Sequence, residues 1–414
     1  MRCFEFVDIN LEDVALETKL EKDRRFIKLY ALIIPLLCSL FLLSTFVASA
    51  QVKQGFATPT CSRDGVASIV RGEIAEALKG GNVPGVTAAV YMPTRFSQPI
   101  SVAIGWSEFE SKRLMKPDSR ILAGSIGKTF YAAAALRLVD MGKLNLDQTI
   151  EHYLPAAKLP SADKVTVRML LSHTSGYGEY DNVFMQELIE NPTRVRTLED
   201  WVGPLRRTSP AKPGEFRYSD INFVILAHII DRAAGTRATE FIRSQFLRPY
   251  HLDHTEPSDK REIPGLAQGY AGPTNFFGRD TMIESGKLIY NPQFESGGGG
   301  YVSTSGDLTR WITLFGTSTI FTRARWSEAS AETHKDPKTG NAYGLGIHID
   351  STPQGTAYGH SGYIPGYVSW ARWYERPSIA VAIQTNTSDR ARLTWDGFDI
   401  SNRIVRKIEM ACSR

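Results

Sequence analysis

Cysteine is scarce in this chain: four residues in 414, two of which, Cys3 and Cys38, fall in an N-terminal stretch set apart from the rest. No Cys/His cluster has the spacing of a metal site, which excludes a metal centre built on such a motif. Charge of one sign is also scarce. The 48 Lys and Arg against 44 Asp and Glu leave a formal net charge of +4. There is no run of five or more like charges and no basic stripe interleaved with aromatics, so nucleic acid is not an expected partner. Internal repeats and low-complexity tracts are absent. With 42% hydrophobic and 22% charged residues, the chain is too apolar to remain disordered and long enough to bury a sizeable core. Finally, no Gly-x-Ser-x-Gly elbow sits between a strand and a helix, which removes the usual signature of a Ser-His-Asp hydrolase.

What is present begins with a compartment signal. No charged residue occurs from Leu29 to Val52, Arg24, Arg25 and Lys28 precede that stretch, and Ala48-Ser49-Ala50 fits cleavage before Gln51. Residues 1–50 therefore read as a signal peptide, with a retained membrane anchor through Leu29 to Val52 as the alternative, since roughly 20 apolar residues span a bilayer. Both readings put the remainder outside the cytoplasm, periplasmic or secreted. In that oxidising setting Cys61 and Cys412, near the two ends of the mature chain, either form a disulfide or stand as two separate thiols.

Periodicity predicts a helix from about Asp64 to Lys79, stopped by Gly80-Gly81. Strands follow at Val86–Met92 and Ile100–Trp106, joined by the turn-rich Pro93–Pro99 segment. A helix is expected from Ser125 to Met141, ended by Gly142. The middle of the chain is rich in helical patterns, Ile221–Ala234 being the clearest, with a polar excursion at Tyr177–Thr197. Strands return at Tyr343–Ile349, Tyr367–Tyr374 and Ile379–Thr385, and a helix with Ile400, Ile404 and Ile408 on one face runs from about Trp395 to Met410. This order predicts an α/β (α+β) fold. Strands from residues 51–143 and 288–414 complete one antiparallel sheet flanked by helices, and 144–287 is inserted as a helical domain.

Three motifs carry chemistry. In Gly124-Ser125-Ile126-Gly127-Lys128 a serine, a weak nucleophile unaided, has a lysine three residues on, hence on the same helical face. A desolvated lysine there can act as a base, and the helix N-terminus aims N–H groups at developing negative charge. Tyr218-Ser219-Asp220 supplies a phenol that is held as phenolate or relays a proton. Gly359-His360-Ser361-Gly362-Tyr363 brings a glycine to a strand edge where substrate backbone can approach. There the Tyr363 N–H would pair with that of Ser125 as an oxyanion hole. Of the histidines available to a conventional triad, His173 is expected to brace the loop around Ser172 and Ser175.

Taken in order, the three motifs resemble those of the penicillin-recognising serine hydrolases: class C β-lactamases, D-alanyl-D-alanine carboxypeptidases and related esterases. Val167–Gly176 and Gly297–Thr304 are similar to further family segments, and the resemblance covers about Pro84 to Met410. It implies a β-lactamase-like fold with Ser125 acylated, Lys128 and Tyr218 sharing base and acid work, and the N–H groups of Ser125 and Tyr363 holding the oxyanion. Asp220, His360, Ser361 and Gly362 would meet the substrate, with no cofactor and no metal. Two departures bear on that substrate. Asp220 stands where the family commonly has Asn, so it accepts hydrogen bonds but cannot donate them. His360, mostly neutral near pH 7, stands where β-lactamases have lysine. Both disfavour an efficient β-lactamase. They leave a carboxypeptidase or an esterase acting on a small-molecule or peptide substrate, with β-lactamase and a non-catalytic penicillin-binding sensor as the alternatives.

Overall fold

The computed structural model describes residues 61–207, 212–335 and 340–413. The signal or anchor segment, with Cys3 and Cys38, lies outside the described residues. Among the described residues no helix is long and apolar enough to cross a membrane.

The principal elements are α1 (Arg63–Leu78), β1 (Gly85–Tyr91), β2 (Ile100–Glu108), α2 (Lys128–Asp140), α3 (Asp220–Ala234), α4 (Ser305–Gly316), β3 (His348–Thr352), β4 (Gly355–Ile364), β5 (Tyr367–Tyr374), β6 (Ile379–Thr385) and α5 (Gly397–Cys412). The strands form one antiparallel sheet in the order β2-β1-β6-β5-β4-β3. Two-residue strands extend it at both edges: Arg113–Leu114 beside β2, and Ala342–Tyr343 then His334–Lys335 beside β3. Strands from both ends of the chain therefore meet at the β1–β6 pair, with Val86 opposite Thr385 and Tyr91 opposite Ala380.

Alternation along the strands builds two apolar layers. Val86, Ala88 and Val90 of β1 and Ile379, Val381 and Ile383 of β6 face Val66, Ile69, Val70 and Ile74 of α1 and Ile400, Ile404, Val405 and Ile408 of α5. The small Ala380 and Ala382 point the other way, where Leu308, Trp311, Ile312 and Phe315 of α4 join the core that also holds α2 and α3. Each fully buried Ile or Val contributes about 1.5–3 kcal/mol, so these layers dominate the stability of the sheet. α1 is started by Ser62, whose side chain accepts from the Gly65 N–H, and carries Asp64 in its first turn. The sulfurs of Cys61 and Cys412 are bonded, with Cα atoms 4.8 Å apart, joining the start of α1 to the end of α5.

Several elements differ from the sequence expectation. Ser125 lies in a tight turn, Gly124–Gly127, immediately before α2 rather than within it. Gly359–Tyr363, which lies outside the strands expected from the sequence, is part of the ten-residue strand β4. The Tyr343–Ile349 strand is interrupted, because Gly344 turns back to hydrogen-bond Ile347. The Tyr177–Thr197 excursion contains a helix, Asn182–Glu190, that buries Phe184 and Leu188.

Candidate active site

Gly124 has φ +54°, in the left-handed region open to glycine, and a Cβ there would lie 2.6 Å from the Tyr363 nitrogen. Gly362 faces it across the gap. A Cβ on Gly362 would lie 1.9 Å from the Ala123 carbonyl oxygen and 2.9 Å from the Ser125 nitrogen. Two glycines thus let β4 and the Ser125 turn meet backbone to backbone. The turn is anchored from below, where the Ala123 N–H donates to the Tyr301 carbonyl at 2.8 Å.

Lys128 opens α2 and is fully buried. Its Nζ donates to Ser125 Oγ at 2.8 Å, to Asp220 Oδ1 at 2.6 Å and to the Gly298 carbonyl. Three acceptors match the three N–H bonds of an ammonium. Tyr218 hydrogen-bonds Ser125, and Lys128 Nζ sits 5.0 Å from the centre of its ring. Burial, and then the negative charge of Asp220, hold the Tyr218 phenol well above its ordinary pKa, so it is protonated at neutral pH. The Ser125, Lys128, Tyr218 and Asp220 side chains are therefore gathered on one spot although 95 residues of sequence separate the first from the last.

The Val167–Gly176 segment supports this group from behind. The Arg217 N–H donates to the His173 carbonyl at 2.7 Å and the Ser219 N–H to His173 Nδ1 at 3.2 Å. Ser175 Oγ donates to Asn222 Oδ1 at 2.5 Å. The His173 ring lies on the Tyr218 ring with centroids 4.2 Å apart. His173 is a wall for the phenol, which sequence reasoning placed only as a loop brace. His360 is buried, with Nε2 3.1 Å from Tyr343 Oη and Nδ1 2.5 Å from the Ser361 carbonyl, so both ring nitrogens have partners within the protein. Burial holds His360 well below its ordinary pKa, leaving it neutral.

Two carboxyls near the site carried no signal in the sequence. Glu179 Oε1 accepts the Asp220 N–H at 2.7 Å, and its burial and the adjacent Asp220 carboxylate push it up to about 8. Glu295 lies under the glycine-rich segment, with one carboxyl oxygen buried and without a hydrogen-bond partner, and burial pushes it up to about 8. Among the described residues no group of three or more His, Cys, Asp or Glu is arranged to hold a metal ion.

This fold agrees with comparison to known proteins. The family model described as Beta-lactamase matches residues 70–397, and the chain belongs to that family of serine hydrolases. Among individual relatives it is similar to penicillin-binding protein 4* of Bacillus subtilis (strain 168), 26% identical over 277 residues that make up 64% of this chain and 60% of the relative. The chain thus spans less than two thirds of that protein. Among solved structures it resembles a D-stereospecific amidohydrolase from Streptomyces sp. (TM-score 0.71, 23% identity, 84% of this chain and 99% of the other). It also resembles the D-amino acid amidase from Ochrobactrum anthropi SV3 (TM-score 0.72, 21% identity, the same coverage).

Proposed function

We propose that the protein is an exported serine amidohydrolase that works through an acyl-Ser125 intermediate on amides or esters of amino acids bearing a free amino group. The observation that carries this reading is the contact of Ser125 Oγ with both Lys128 Nζ and the Tyr218 hydroxyl. As Ser125 Oγ bonds to the substrate carbonyl carbon, its proton passes to Tyr218 Oη while the phenol's own proton passes to the leaving nitrogen. The carbon–nitrogen bond then breaks without a phenolate being stored. Lys128, fixed by three acceptors, stabilises the negative charge that develops on this path. The N–H groups of Ser125 and Tyr363 receive the carbonyl oxygen as it becomes an oxyanion, and Ser361 and Gly362 supply the strand along which substrate lies.

Charge selects the substrate. Asp220 offers a carboxylate at the site, and neutral His360 offers no cation to a terminal carboxylate. An ammonium beside the scissile carbonyl suits this arrangement better than the carboxylate of a penicillin or of a D-alanyl-D-alanine peptide. The D-amino acid amidase named above accords with such a substrate. The Cys61–Cys412 bond supports export, because disulfides persist in oxidising compartments.

A substrate panel on residues 51–414 tests the reading: D-phenylalanine amide, a D-alanyl-D-alanine peptide, nitrocefin and an uncharged nitrophenyl ester. Turnover of the amide well above that of the peptide and nitrocefin is expected. A peptide or nitrocefin hydrolysed faster than the amide would replace the reading with a carboxypeptidase or a β-lactamase. Acylation without turnover on every substrate would make the protein a sensor.

A further inference from the structure

Behind the nucleophile, three side chains from distant parts of the sequence form one hydrogen-bonded line. The Ser219 N–H lies 3.2 Å from His173 Nδ1, and His173 Nε2 lies 3.2 Å from Tyr343 Oη. Tyr343 Oη lies 3.1 Å from His360 Nε2, and His360 Nδ1 lies 2.5 Å from the Ser361 carbonyl oxygen. His173, Tyr343 and His360 are each at most 2% exposed, so water does not replace a missing partner.

The two ends of this line have fixed polarity. A backbone N–H only donates and a carbonyl only accepts. Between them, every contact is satisfied in one way. His173 accepts at Nδ1 and donates from Nε2, Tyr343 accepts from His173 and donates to His360 Nε2, and His360 donates from Nδ1 to Ser361. Asn222 fixes the first step a second time. Its Oδ1 is taken by the Ser175 hydroxyl, so its Nδ2, 3.2 Å from His173 Nδ1, is the donor. Each of the three groups carries a single mobile proton. A second proton on His173 would set donor against donor at Nδ1, and one on His360 Nε2 would leave the Tyr343 hydroxyl proton without an acceptor on this line; either would place a charge inside the core. Burial acts in the same direction on both rings.

The line also joins the two halves of the site. At one end His173 lies against the Tyr218 ring and Ser219 follows Tyr218 in the chain. At the other, His360 and Ser361 lead directly into Gly362 and Tyr363, which lie against Gly124 and Ser125. The Tyr343 hydroxyl is the link between them.

We propose that Tyr343 is a positioning residue whose hydroxyl ties the His173 ring to the His360 ring, in the tautomers that Ser219 and Ser361 set at the two ends, and thereby places the Tyr218 phenol relative to the β4 strand. Its kinetic consequence rests on the serine-hydrolase reading; the polarity of the line does not.

The test combines imidazole ¹⁵N NMR with kinetics of the wild type and Tyr343→Phe, using D-phenylalanine amide and an uncharged nitrophenyl ester. In the wild type, His173 is expected as the Nε2–H tautomer and His360 as the Nδ1–H tautomer, both neutral at pH 7. In Tyr343→Phe the ring that packs on His173 is retained and both tautomers persist, because Ser219 and the Ser361 carbonyl still set them, while the hydroxyl bridge between the two rings is lost. There kcat falls about 10- to 100-fold, the loss associated with misplacing reacting groups by about 1 Å, with KM changed by less than about threefold. A wild-type His360 protonated on Nε2, or on both nitrogens, would overturn the proposal without any variant having to fold. So would a folded Tyr343→Phe enzyme whose kcat stays within about twofold. Failure of the nucleophile assignment is read separately, by turnover persisting in Ser125→Ala, and leaves the tautomer result standing on its own.

Discussion

Replacing Glu295 by glutamine should stabilise the protein at alkaline pH and leave it nearly unchanged in acid. The Glu295 carboxyl is buried beneath the glycine-rich segment, and one of its oxygens has no hydrogen-bond partner. Burial, followed by the negative charge of Asp220, raises it from 4.5 to about 8, against the opposing pull of Lys128. Between those two values the folded protein holds a proton that the unfolded chain has released. Stability therefore falls as pH rises through this window, the reverse of an ordinary ion-paired carboxylate. A tenfold bias per pH unit over this interval corresponds to a cost on the order of 5 kcal/mol for ionising Glu295 inside the fold. Glutamine occupies nearly the same volume and does not titrate. Urea unfolding of wild type and Glu295→Gln at pH 5 and at pH 9 should give midpoints close together at pH 5, with the variant more stable by roughly 2–4 kcal/mol at pH 9. Glu179 titrates in both proteins and cancels in the comparison. A difference that is the same at both pH values, or one favouring the wild type at pH 9, would refute the reasoning.

Three further outcomes are expected. Asp220→Asn keeps an acceptor for Lys128 but removes the counter-charge of a fully buried ammonium. Because the Asp220 side chain is about a quarter exposed, the expected loss is about 1–3 kcal/mol, below the full cost of breaking a buried pair, with selectivity for D-phenylalanine amide over nitrocefin reduced. Glu179→Gln, neutral like the largely protonated Glu179 carboxyl at pH 7, should leave KM for the amide within about twofold there, a difference of about 0.4 kcal/mol, in a steady-state assay. Replacing Cys412 by serine frees a loop whose ends are 351 residues apart. The unfolding midpoint of residues 51–414 should fall by an amount corresponding to about 2–4 kcal/mol, and adding reductant to the variant should have no further effect.

The strands Tyr367–Tyr374 and Ile379–Thr385 were legible because alternation was clean and Glu375-Arg376-Pro377-Ser378 marks a turn; the structure has them at those bounds. The helix over Ile221–Ala234 was legible from its helical pattern, and it begins one residue earlier, at Asp220. β4 was not legible. Its sequence, Gly-Thr-Ala-Tyr-Gly-His-Ser-Gly-Tyr-Ile, carries three glycines that weaken any strand signal, and Gly362 is there because the Ala123 carbonyl leaves no room for a Cβ. The placement of Ser125 before α2 follows from the left-handed backbone at Gly124, a contact-driven conformation that helix propensity cannot reveal. Within the site, Ser125, Lys128, Tyr218 and Asp220 were findable because they recur in ordered motifs, and the structure brings their side chains together. Tyr343, Glu179 and Glu295 were not findable. Each is a single residue whose importance arises only from neighbours 17 to more than 160 positions away, such as His360 beside Tyr343 and Lys128 beside Glu295.

The central claim is that the Ser125 hydroxyl becomes covalently acylated. Rapid acid quench of residues 51–414 with a slowly hydrolysed aminoacyl nitrophenyl ester, followed by intact-mass measurement and peptide mapping, addresses it directly. One aminoacyl group per chain, located on the peptide that contains Ser125 and missing in Ser125→Ala, is the expected result. An adduct on any other residue, or hydrolysis that persists in Ser125→Ala, would contradict the account.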